Sequence, residues 1–276
     1  MNNSFFYICK APIIIWIFLY FMASEVTAGD TAAPLSVNEV INACYYKNQG
    51  KDQRAKLEII FKNSEGRVSH GKYLRLWKDY RGKGQLEDKS ILYTLRPSEQ
   101  AGVNFLRWSY ISSAQRAPEQ WVYLPELRIV RRVAQRDPRD AAWGLTDDDL
   151  RIRDFLEDQH SLIATNQRGA TTYYTVETLP GNANTVYQKW ITRYEKQQDT
   201  SHCSIVETIY FSKTDEKKIK SISYKWQVID EVWVWDEVKV LNLQNGSEVI
   251  YLTLEAEVNV GLRDRDFRER QLKRKM

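Results

Sequence analysis

Few residues in this sequence could carry out acid–base chemistry. The 276 residues include three histidines, His70, His160 and His202, which lie far apart along the chain. The densest carboxylate cluster, Asp147-Asp148-Asp149, directly follows Thr146, and a capping residue followed by acids is typical of the first turn of a helix. The sequence has no Gly-x-Ser-x-Gly elbow, no Gly-x-x-x-x-Gly-Lys-Ser/Thr phosphate loop and no His-Glu-x-x-His motif. We therefore predict that the protein is not an enzyme, with a hydrolase using Asp147 to Asp149 as the weaker alternative.

The first thirty residues are typical of a secretory signal peptide. Lys10 supplies a positive charge, an apolar run extends from Ala11 to Ala23, and Val26-Thr27-Ala28 places small residues at a cleavage position. We predict that residues 1–28 are removed on export and that residues 29–276 form one domain. An uncleaved inner-membrane anchor is the alternative, because the two kinds of segment look alike.

Removal of that segment leaves two cysteines, Cys44 and Cys203. An exported chain can join them in a disulfide, but two separate buried thiols fit the sequence equally well, because it does not report the distance between their Cα atoms. His202 lies beside Cys203, and two adjacent ligands without a second spaced pair are weak evidence for a metal. We expect no metal and no cofactor.

The remaining chain begins with one helix and continues with strands. Ser36 and Glu39 have the spacing of a capping box, which predicts a helix from about Val37 to Tyr46. From Ala55 the apolar period changes to two. After a second strand around Tyr73 to Trp77, strand-like runs follow at 91–95, 103–110, 119–124, 128–133, 171–179, 186–194, 204–211, 219–229, 232–241 and 249–257.

Two segments depart from this strand pattern. Residues 135–159 form a charged loop, in which we predict a helix from Asp147 to about Glu157. We also predict a basic helix from Arg263 to Lys275, in which Phe267 and Leu272 are the only large apolar residues. The charged loop is our candidate lid or partner-docking element. Its candidate residues are Arg136, Trp143, Leu150 and Phe155.

The number of strands and the composition predict the fold class. The sequence contains 16 Tyr, 9 Trp and 9 Phe, residue types that favour strands, and a sheet of about eleven or twelve strands tends to curl. We predict a mainly β (α+β) fold, a curved antiparallel sheet or half-open β-barrel with helices covering its concave side. The 40 basic and 36 acidic residues are spread along the chain, so we expect no nucleic-acid partner.

Aromatic side chains on the concave side of such a sheet could enclose an apolar ligand. Our candidates for cavity or core are Trp77, Trp108, Trp121, Tyr123 and Leu124. Strand alternation places Trp121 and Tyr123 on one side of the sheet and Leu124 on the other. Filling an ordinary core is the alternative for the whole set, because most large aromatics pack protein against protein.

Four segments resemble the outer-membrane lipoprotein-sorting proteins of the LolA-like family. They are Val103 to Trp108, the run Gln120-Trp121-Val122-Tyr123-Leu124-Pro125-Glu126-Leu127-Arg128 with Val130-Arg131-Arg132, the acidic segment Gly144 to Leu150, and the ending Asp266-Phe267-Arg268-Glu269-Arg270-Gln271-Leu272. Their spacing covers most of the chain after residue 28. The Tyr-Leu-Pro run with its following Arg-Arg is the most specific of these features.

The resemblance implies a half-open barrel that carries apolar cargo through the periplasm. Its cargo would be lipoprotein acyl chains or another lipid, moved toward the outer membrane. Its implied partners are an inner-membrane transporter and an outer-membrane acceptor, with transient membrane contact. A non-catalytic envelope sensor or transporter-associated adaptor of the same architecture is the alternative.

Overall fold

Thirteen strands and several short helical turns make up the part of the chain that the computed structural model describes. That part comprises residues 35–45, 47–133, 145–146, 149, 155–181, 185–198 and 202–276. The predicted signal peptide and most of the predicted helix from Asp147 to Glu157 lie outside it. The strands are β1 (Asp52–Lys62), β2 (Val68–Asp79), β3 (Leu86–Arg96), β4 (Asn104–Tyr110), β5 (Glu119–Leu124), β6 (Ile129–Arg132), β7 (Gln159–Arg168), β8 (Thr171–Leu179), β9 (Tyr187–Gln197), β10 (Cys203–Ser212), β11 (Lys218–Ile229), β12 (Val232–Asn242) and β13 (Glu248–Val258).

The helical elements are all short. An α-helix, α1 (Val37–Val40), continues as a π-helical turn (Ile41–Tyr45). The 3₁₀ turns are Lys83–Gln85, Ser98–Gln100, Ser112–Ala114, Phe155–Glu157, Asp264–Phe267 and Glu269–Lys273.

All thirteen strands belong to one antiparallel sheet. Their order is β6-β5-β4-β3-β2-β1-β13-β12-β11-β10-β9-β8-β7. The chain therefore builds one meander from β1 at the centre out to β6, and a second from β7 at the other edge back to β13 at the centre. Strand β1 joins the two meanders by pairing with both β2 and β13. Strands β6 and β7 stand at opposite edges, so the sheet is not closed. The predicted mainly β fold with one curved, open antiparallel sheet is confirmed.

Strand β7 was missed by the sequence prediction, which resumed strands only at Thr171. β7 lies at the edge of the sheet, and most of its residues are exposed or half-buried. An edge strand needs little apolar alternation, and β7 has only two large apolar residues, Leu162 and Ile163, so its strand signal is weak. Its register with β8 runs from Gln159 opposite Leu179 to Arg168 opposite Thr171.

The N-terminal helix covers one face of the sheet. The predicted capping box is present: the Ser36 N–H donates to Glu39 Oε2 at 2.8 Å, and the Glu39 N–H donates to Ser36 Oγ at 3.4 Å. Regular α-helix ends at Val40, and the π-helical turn that follows buries Cys44 against β8, β9 and β10. A disulfide joins Cys44 to Cys203 on β10, with a Cα–Cα distance of 4.6 Å. This bond fastens the helical cover to the sheet.

The C-terminal segment is two 3₁₀ turns rather than the single helix predicted from Arg263 to Lys275. Phe267 and Leu272 are both fully buried against the same sheet face. Five residues along an α-helix rotate a side chain by about 140°, so one helix could not turn both toward the sheet. Arg268, between the two turns, is extended (φ −87°, ψ 151°), and this break allows both side chains to reach the core.

Register shows that the two covers lie on opposite faces. The C-terminal segment covers Leu76, Ile91, Leu106 and Trp121, which are cross-strand neighbours on β2 to β5. Residues adjacent in a strand point to opposite faces, so Trp77 lies on the other face. The C-terminal turns therefore do not join the helical cover that the sequence predicted for the concave side.

Replacing Phe267 with Ala should lower the free energy of unfolding by about 3–5 kcal/mol, because the substitution leaves a cavity in a closed core. Leu254→Ala is the matched control, since Leu254 is 48% exposed and its loss should cost under about 0.5 kcal/mol. Urea unfolding followed by Trp fluorescence measures both. Equal losses would contradict the packing of the C-terminal segment.

Removing the disulfide in the double variant Cys44→Ala/Cys203→Ala should lower the free energy of unfolding by about 2–4 kcal/mol, because the cross-link restricts the unfolded chain. Wild-type protein unfolded in the presence of a reductant should show the same loss. Urea unfolding of the oxidised wild type under otherwise identical conditions is the reference. A reductant effect on the double variant would mean that the loss has another origin.

Candidate functional site

A half-open cavity of about 920 Å³ lies on the face of the sheet that carries α1. Tyr73 on β2 and Tyr187 on β9 both line it, although five strands stand between β2 and β9 in the sheet. Side chains from strands so far apart meet only where the sheet curls around them, so this face is the concave one. The volume lies within the range of about 300–1,000 Å³ that is usual for ligand pockets.

One wall of the cavity is apolar, and polar side chains such as Ser69, Gln100 and Ser212 line other parts of it. Ile59 and Phe61 of β1 lie on one wall, and Val240 and Val249 on the neighbouring strands continue it. These positions alternate along each strand with residues that face away, as a half-buried strand requires. The wall is therefore the concave apolar stripe of the central strands.

Gly71 shapes the wall beside Tyr73. A Cβ at Gly71 would lie only 2.4 Å from the Tyr73 hydroxyl oxygen and 2.5 Å from a ring carbon. The glycine therefore lets the Tyr73 ring lie back along β2. Both residues line the cavity, so a larger side chain at position 71 would have to push the ring into it.

A buried ion pair closes one side of the cavity. The Lys220 ammonium on β11 bonds both the Asp149 carboxylate and the Tyr187 hydroxyl. The Tyr187 hydroxyl donates to Asp149 Oδ1 at 3.0 Å. The Asp149 side chain is 0% exposed and that of Lys220 is 10% exposed. Each charge is therefore stabilised mainly by the other rather than by water. An isolated charge in such a place would be very costly.

The ion pair is joined to Thr146, which lies beside the buried Leu145. The Thr146 N–H donates to Asp149 Oδ2 at 2.7 Å, and the Asp149 N–H donates to Thr146 Oγ1 at 3.2 Å. This reciprocal bonding has the pattern of a capping box. Leu145 is buried beside it against Ile222 and Val238. The sequence offered Asp149 as a possible acid–base group; in the structure its carboxylate forms a buried ion pair with Lys220.

Three buried tyrosines interact electrostatically with this carboxylate. Burial raises the pKa of Tyr210, Tyr224 and Tyr251 well above the usual value, and the negative charge of Asp149 raises each of them further. Neutral hydroxyls can donate hydrogen bonds. The concave interior beside the cavity is therefore polar in places.

Three of the five sequence candidates for the cavity or core lie on the convex face. Trp108, Trp121 and Tyr123 pack with the core beneath the C-terminal turns. The rings of Trp108 and Trp121 are 4.9 Å apart, and Trp108 Nε1 donates to the Phe267 carbonyl at 3.0 Å. These side chains therefore contact protein rather than the cavity.

The other two candidates point to the concave side but do not line the cavity. Trp77 is 5% exposed, and the Arg75 guanidinium lies 5.9 Å from the rings of both Trp77 and Trp235. Burial lowers the pKa of Arg75, and Asp88 opposes that shift. Leu124 is the last residue of β5 and is half-buried. Strand register therefore places Trp77 and Leu124 on the opposite face of the sheet from Trp108, Trp121 and Tyr123.

The candidate lid is mostly outside the described residues. Arg136, Trp143 and Leu150 are not described, and Phe155 begins a 3₁₀ turn that ends at Glu157. His202 contacts the Trp233 ring, with ring centroids 4.7 Å apart, while its neighbour Cys203 is in the disulfide. In the described part of the chain, no three His, Cys, Asp or Glu residues are grouped as metal ligands.

The residues that bound the cavity were not identified from the sequence. Alternation at Ile59 and Phe61 indicates a strand, but it does not show which face is concave. Tyr187 and Lys220 come together with Asp149 only through contacts between distant parts of the chain. The glycine at position 71, two residues before Tyr73, was a local indication of this wall, because a glycine within a strand often marks a close approach of another group to the backbone.

No helix in the described residues is long and apolar enough to cross a membrane.

The fold is that of the LolA-like lipoprotein-sorting proteins. An outer-membrane lipoprotein-sorting protein domain from Vibrio parahaemolyticus matches with a TM-score of 0.70 and 22% identity, covering 86% of this chain and 96% of that one. A DUF1329 family protein from Desulfovibrio piger matches with a TM-score of 0.68 and 21% identity, covering 81% and 92%. A LolA superfamily protein from Nitrosomonas europaea matches with a TM-score of 0.60 and 14% identity, covering 85% and 98%.

The chain belongs to a protein family whose description reads "Uncharacterized protein", and the family match spans residues 86–274. A search of curated proteins finds no match. At 14–22% identity, the solved structures establish the shared fold and no more. The resemblance to LolA-like proteins inferred from the sequence is confirmed at the level of the fold.

Replacing Lys220 with Met should lower the free energy of unfolding by about 3–5 kcal/mol, because it leaves the Asp149 carboxylate buried without its cation. Lys217→Met is the control, since Lys217 pairs with Asp215 at a side-chain exposure of 77% and its loss should cost about 1 kcal/mol or less. Urea unfolding measures both. A loss of unfolding free energy for Lys220→Met no larger than that for Lys217→Met would show that the Asp149–Lys220 pair does not stabilise the folded protein.

Proposed function

We propose that this protein is a periplasmic carrier that binds acyl chains of lipoproteins, or another apolar lipid, in the concave cavity. The observation that supports the proposal most directly is the half-open cavity of about 920 Å³ with apolar walls from β1, β12 and β13. The LolA-like fold supports it as well, since one of the similar structures is described as a lipoprotein-sorting domain.

The physical reason for such a carrier is the cost of exposing an acyl chain to water. Each methylene that leaves water contributes about 0.8 kcal/mol, so a long chain needs a cover during transit. The cavity walls Ile59, Val240 and Val249 offer that apolar cover. The opening of the cavity lets the chain enter and leave without unfolding the sheet.

Export follows from the same proposal. Residues 1–28 would direct the chain to the periplasm and be removed there, and residues 29–276 would form the carrier domain. A disulfide between Cys44 and Cys203 suits an oxidising compartment. An inner-membrane transporter would supply the cargo and an outer-membrane acceptor would receive it.

Lipid binding is tested on residues 29–276 purified from the periplasm. Native mass spectrometry followed by lipid extraction should detect a bound lipid, and an apolar fluorescent probe should bind in competition with it. An empty protein that ignores acyl ligands would contradict the carrier. A stable protein partner recovered by crosslinking from that empty protein would instead favour the sensor or adaptor.

A single substitution should weaken binding if the cavity is the binding site. Phe61 lines the cavity and is 40% exposed, so Phe61→Asp should fold but place a charge against the ligand. We expect the Kd of an acyl ligand to rise about tenfold, which corresponds to losing part of the apolar contact of one Phe side chain. Fluorescence titration measures it.

The matched control is Leu254→Asp. Leu254 is also a strand residue and is 48% exposed, but it does not line the cavity. Its substitution should leave the Kd unchanged. Equal effects of both substitutions would place the binding site elsewhere.

A further inference from the structure

The positive excess of the chain is concentrated in the C-terminal segment, although charged residues of both signs occur throughout. Basic residues outnumber acidic ones by 40 to 36 in the whole sequence. Residues 263–275 alone contain the same excess of four, because seven basic residues stand there against Asp264, Asp266 and Glu269. All seven basic side chains are exposed: Arg263, Arg265, Arg268, Arg270, Lys273, Arg274 and Lys275. This segment is therefore the part of the chain that an anionic partner would recognise.

The acidic residues lie in the first part of the segment. The Tyr80 hydroxyl donates to Asp264 Oδ1 at 2.9 Å, and the Arg263 N–H donates to Asp266 Oδ2 at 2.8 Å. No Asp or Glu follows Glu269 in the sequence. The last part of the segment therefore carries only positive charge.

Four exposed cations make up this last part, which we call the basic surface: Arg270, Lys273, Arg274 and Lys275. Their side chains form no hydrogen bond or ion pair with any residue that the structure describes. Cations on the convex face of the central strands differ in this respect, as Lys56 shows by pairing with Glu255 at 2.6 Å. The charge of the basic surface is thus available to a partner.

Hydrogen bonds place the basic surface at one end of the sheet. Asn104, the first residue of β4, donates from Nδ2 to the carbonyls of Leu272 at 2.7 Å and Arg274 at 3.4 Å. The turn Glu269–Lys273 also contacts β5 and β6. Because Phe267 and Leu272 are fully buried, the cations are held on a fixed segment rather than on a free tail.

The cavity reaches the same end of the sheet. Gln100, Thr214 and Gln244 line it, and they lie in the β3–β4, β10–β11 and β12–β13 connections. The antiparallel strand order places these connections at the end where β4 begins. A Cβ at Gly102 would lie 3.7 Å from the Pro125 Cβ, so the β3–β4 connection lies beside the β5–β6 turn. The cavity and the basic surface therefore share one end of the molecule.

Exposed apolar side chains accompany the cations. Leu127, in the turn that joins β5 to β6, is 61% exposed, and Met276, which follows Lys275, is 50% exposed. A surface that binds membranes combines cations, which attract anionic headgroups, with apolar side chains that enter the interfacial layer. Charge and apolar exposure together favour a lipid surface over an acidic protein as the partner.

We propose that the basic surface docks the protein on a membrane that contains anionic phospholipids. Docking at this end brings the connections that border the cavity close to the headgroups. The docking surface goes beyond the proposed carrier function and does not depend on it, because none of its four cations lines the cavity.

Vesicle co-sedimentation tests the docking surface. Purified residues 29–276 are mixed with vesicles of phosphatidylglycerol and phosphatidylcholine in equal parts, and separately with vesicles of phosphatidylcholine alone. We expect the partition coefficient to be about tenfold or more higher for the anionic vesicles. Added salt should weaken this binding, because it screens exposed charges.

The triple variant Lys273→Gln/Arg274→Gln/Lys275→Gln should lower the partition coefficient on anionic vesicles by about tenfold to a hundredfold. The reason is that each cation near an anionic membrane contributes about fivefold. Thermal unfolding of the variant checks that it folds as the wild type does.

The matched control is Lys51→Gln/Lys83→Gln/Arg168→Gln, which removes the same charge. These three side chains are also exposed, and they lie before β1, between β2 and β3, and at the end of β7. The strand order places all three positions at the opposite end of the sheet. This variant should bind the anionic vesicles nearly as the wild type does.

Three results would overturn the docking surface: no binding of the wild type to anionic vesicles, equal binding to both kinds of vesicle, or an equal loss in the two triple variants. Crosslinks from Lys273 or Lys275 to an acidic protein, without vesicle binding, would assign the surface to a protein partner instead. Titration with acyl ligands is a separate measurement. Vesicle binding by a protein that ignores acyl ligands would refute the carrier and leave the docking surface standing.

Discussion

The structure depends on one constraint: a single open sheet has two faces, and both need apolar cover from segments that are not strands. A second sheet would meet this need in a sandwich, but here all thirteen described strands lie in one sheet. The N-terminal helix covers β8 to β10 on the concave face, and the C-terminal turns cover β2 to β5 on the convex face. The covers lie over different parts of the sheet, and the concave wall of the central strands stays open as the cavity.

Each cover is fastened by directional contacts as well as by apolar burial. The disulfide of Cys44 fixes the N-terminal cover, and the Asn104 Nδ2 group, which donates to the Leu272 carbonyl at 2.7 Å, fixes the C-terminal one. Segments this short could not persist as isolated helices. Their conformation is therefore set by the sheet beneath them, which explains why regular α-helix is replaced by π and 3₁₀ turns.

The same dependence explains which features could be predicted from the sequence. Period-two alternation identified most strands because it is local, and the Ser36–Glu39 box identified the helix start for the same reason. The face that each aromatic occupies depends on register and curvature, which are set by pairing between distant strands. Trp121 and Trp77 look equivalent in sequence, yet one lies beneath Phe267 and the other beside Arg75.

The polar interior beside the cavity follows from the need to hold Leu145, Thr146 and Asp149 in one place. Leu145 alone would bind the concave wall without a preferred position, because apolar contact is not directional. The Asp149–Lys220 pair supplies that direction, and the Tyr187 hydroxyl joins the pair to the cavity wall. A buried pair is weak evidence for net stability, since two charges must leave water to form it. The pair instead fixes the shape of the cavity: with Lys220 and Tyr187 held by Asp149, the cavity ends at a fixed polar boundary.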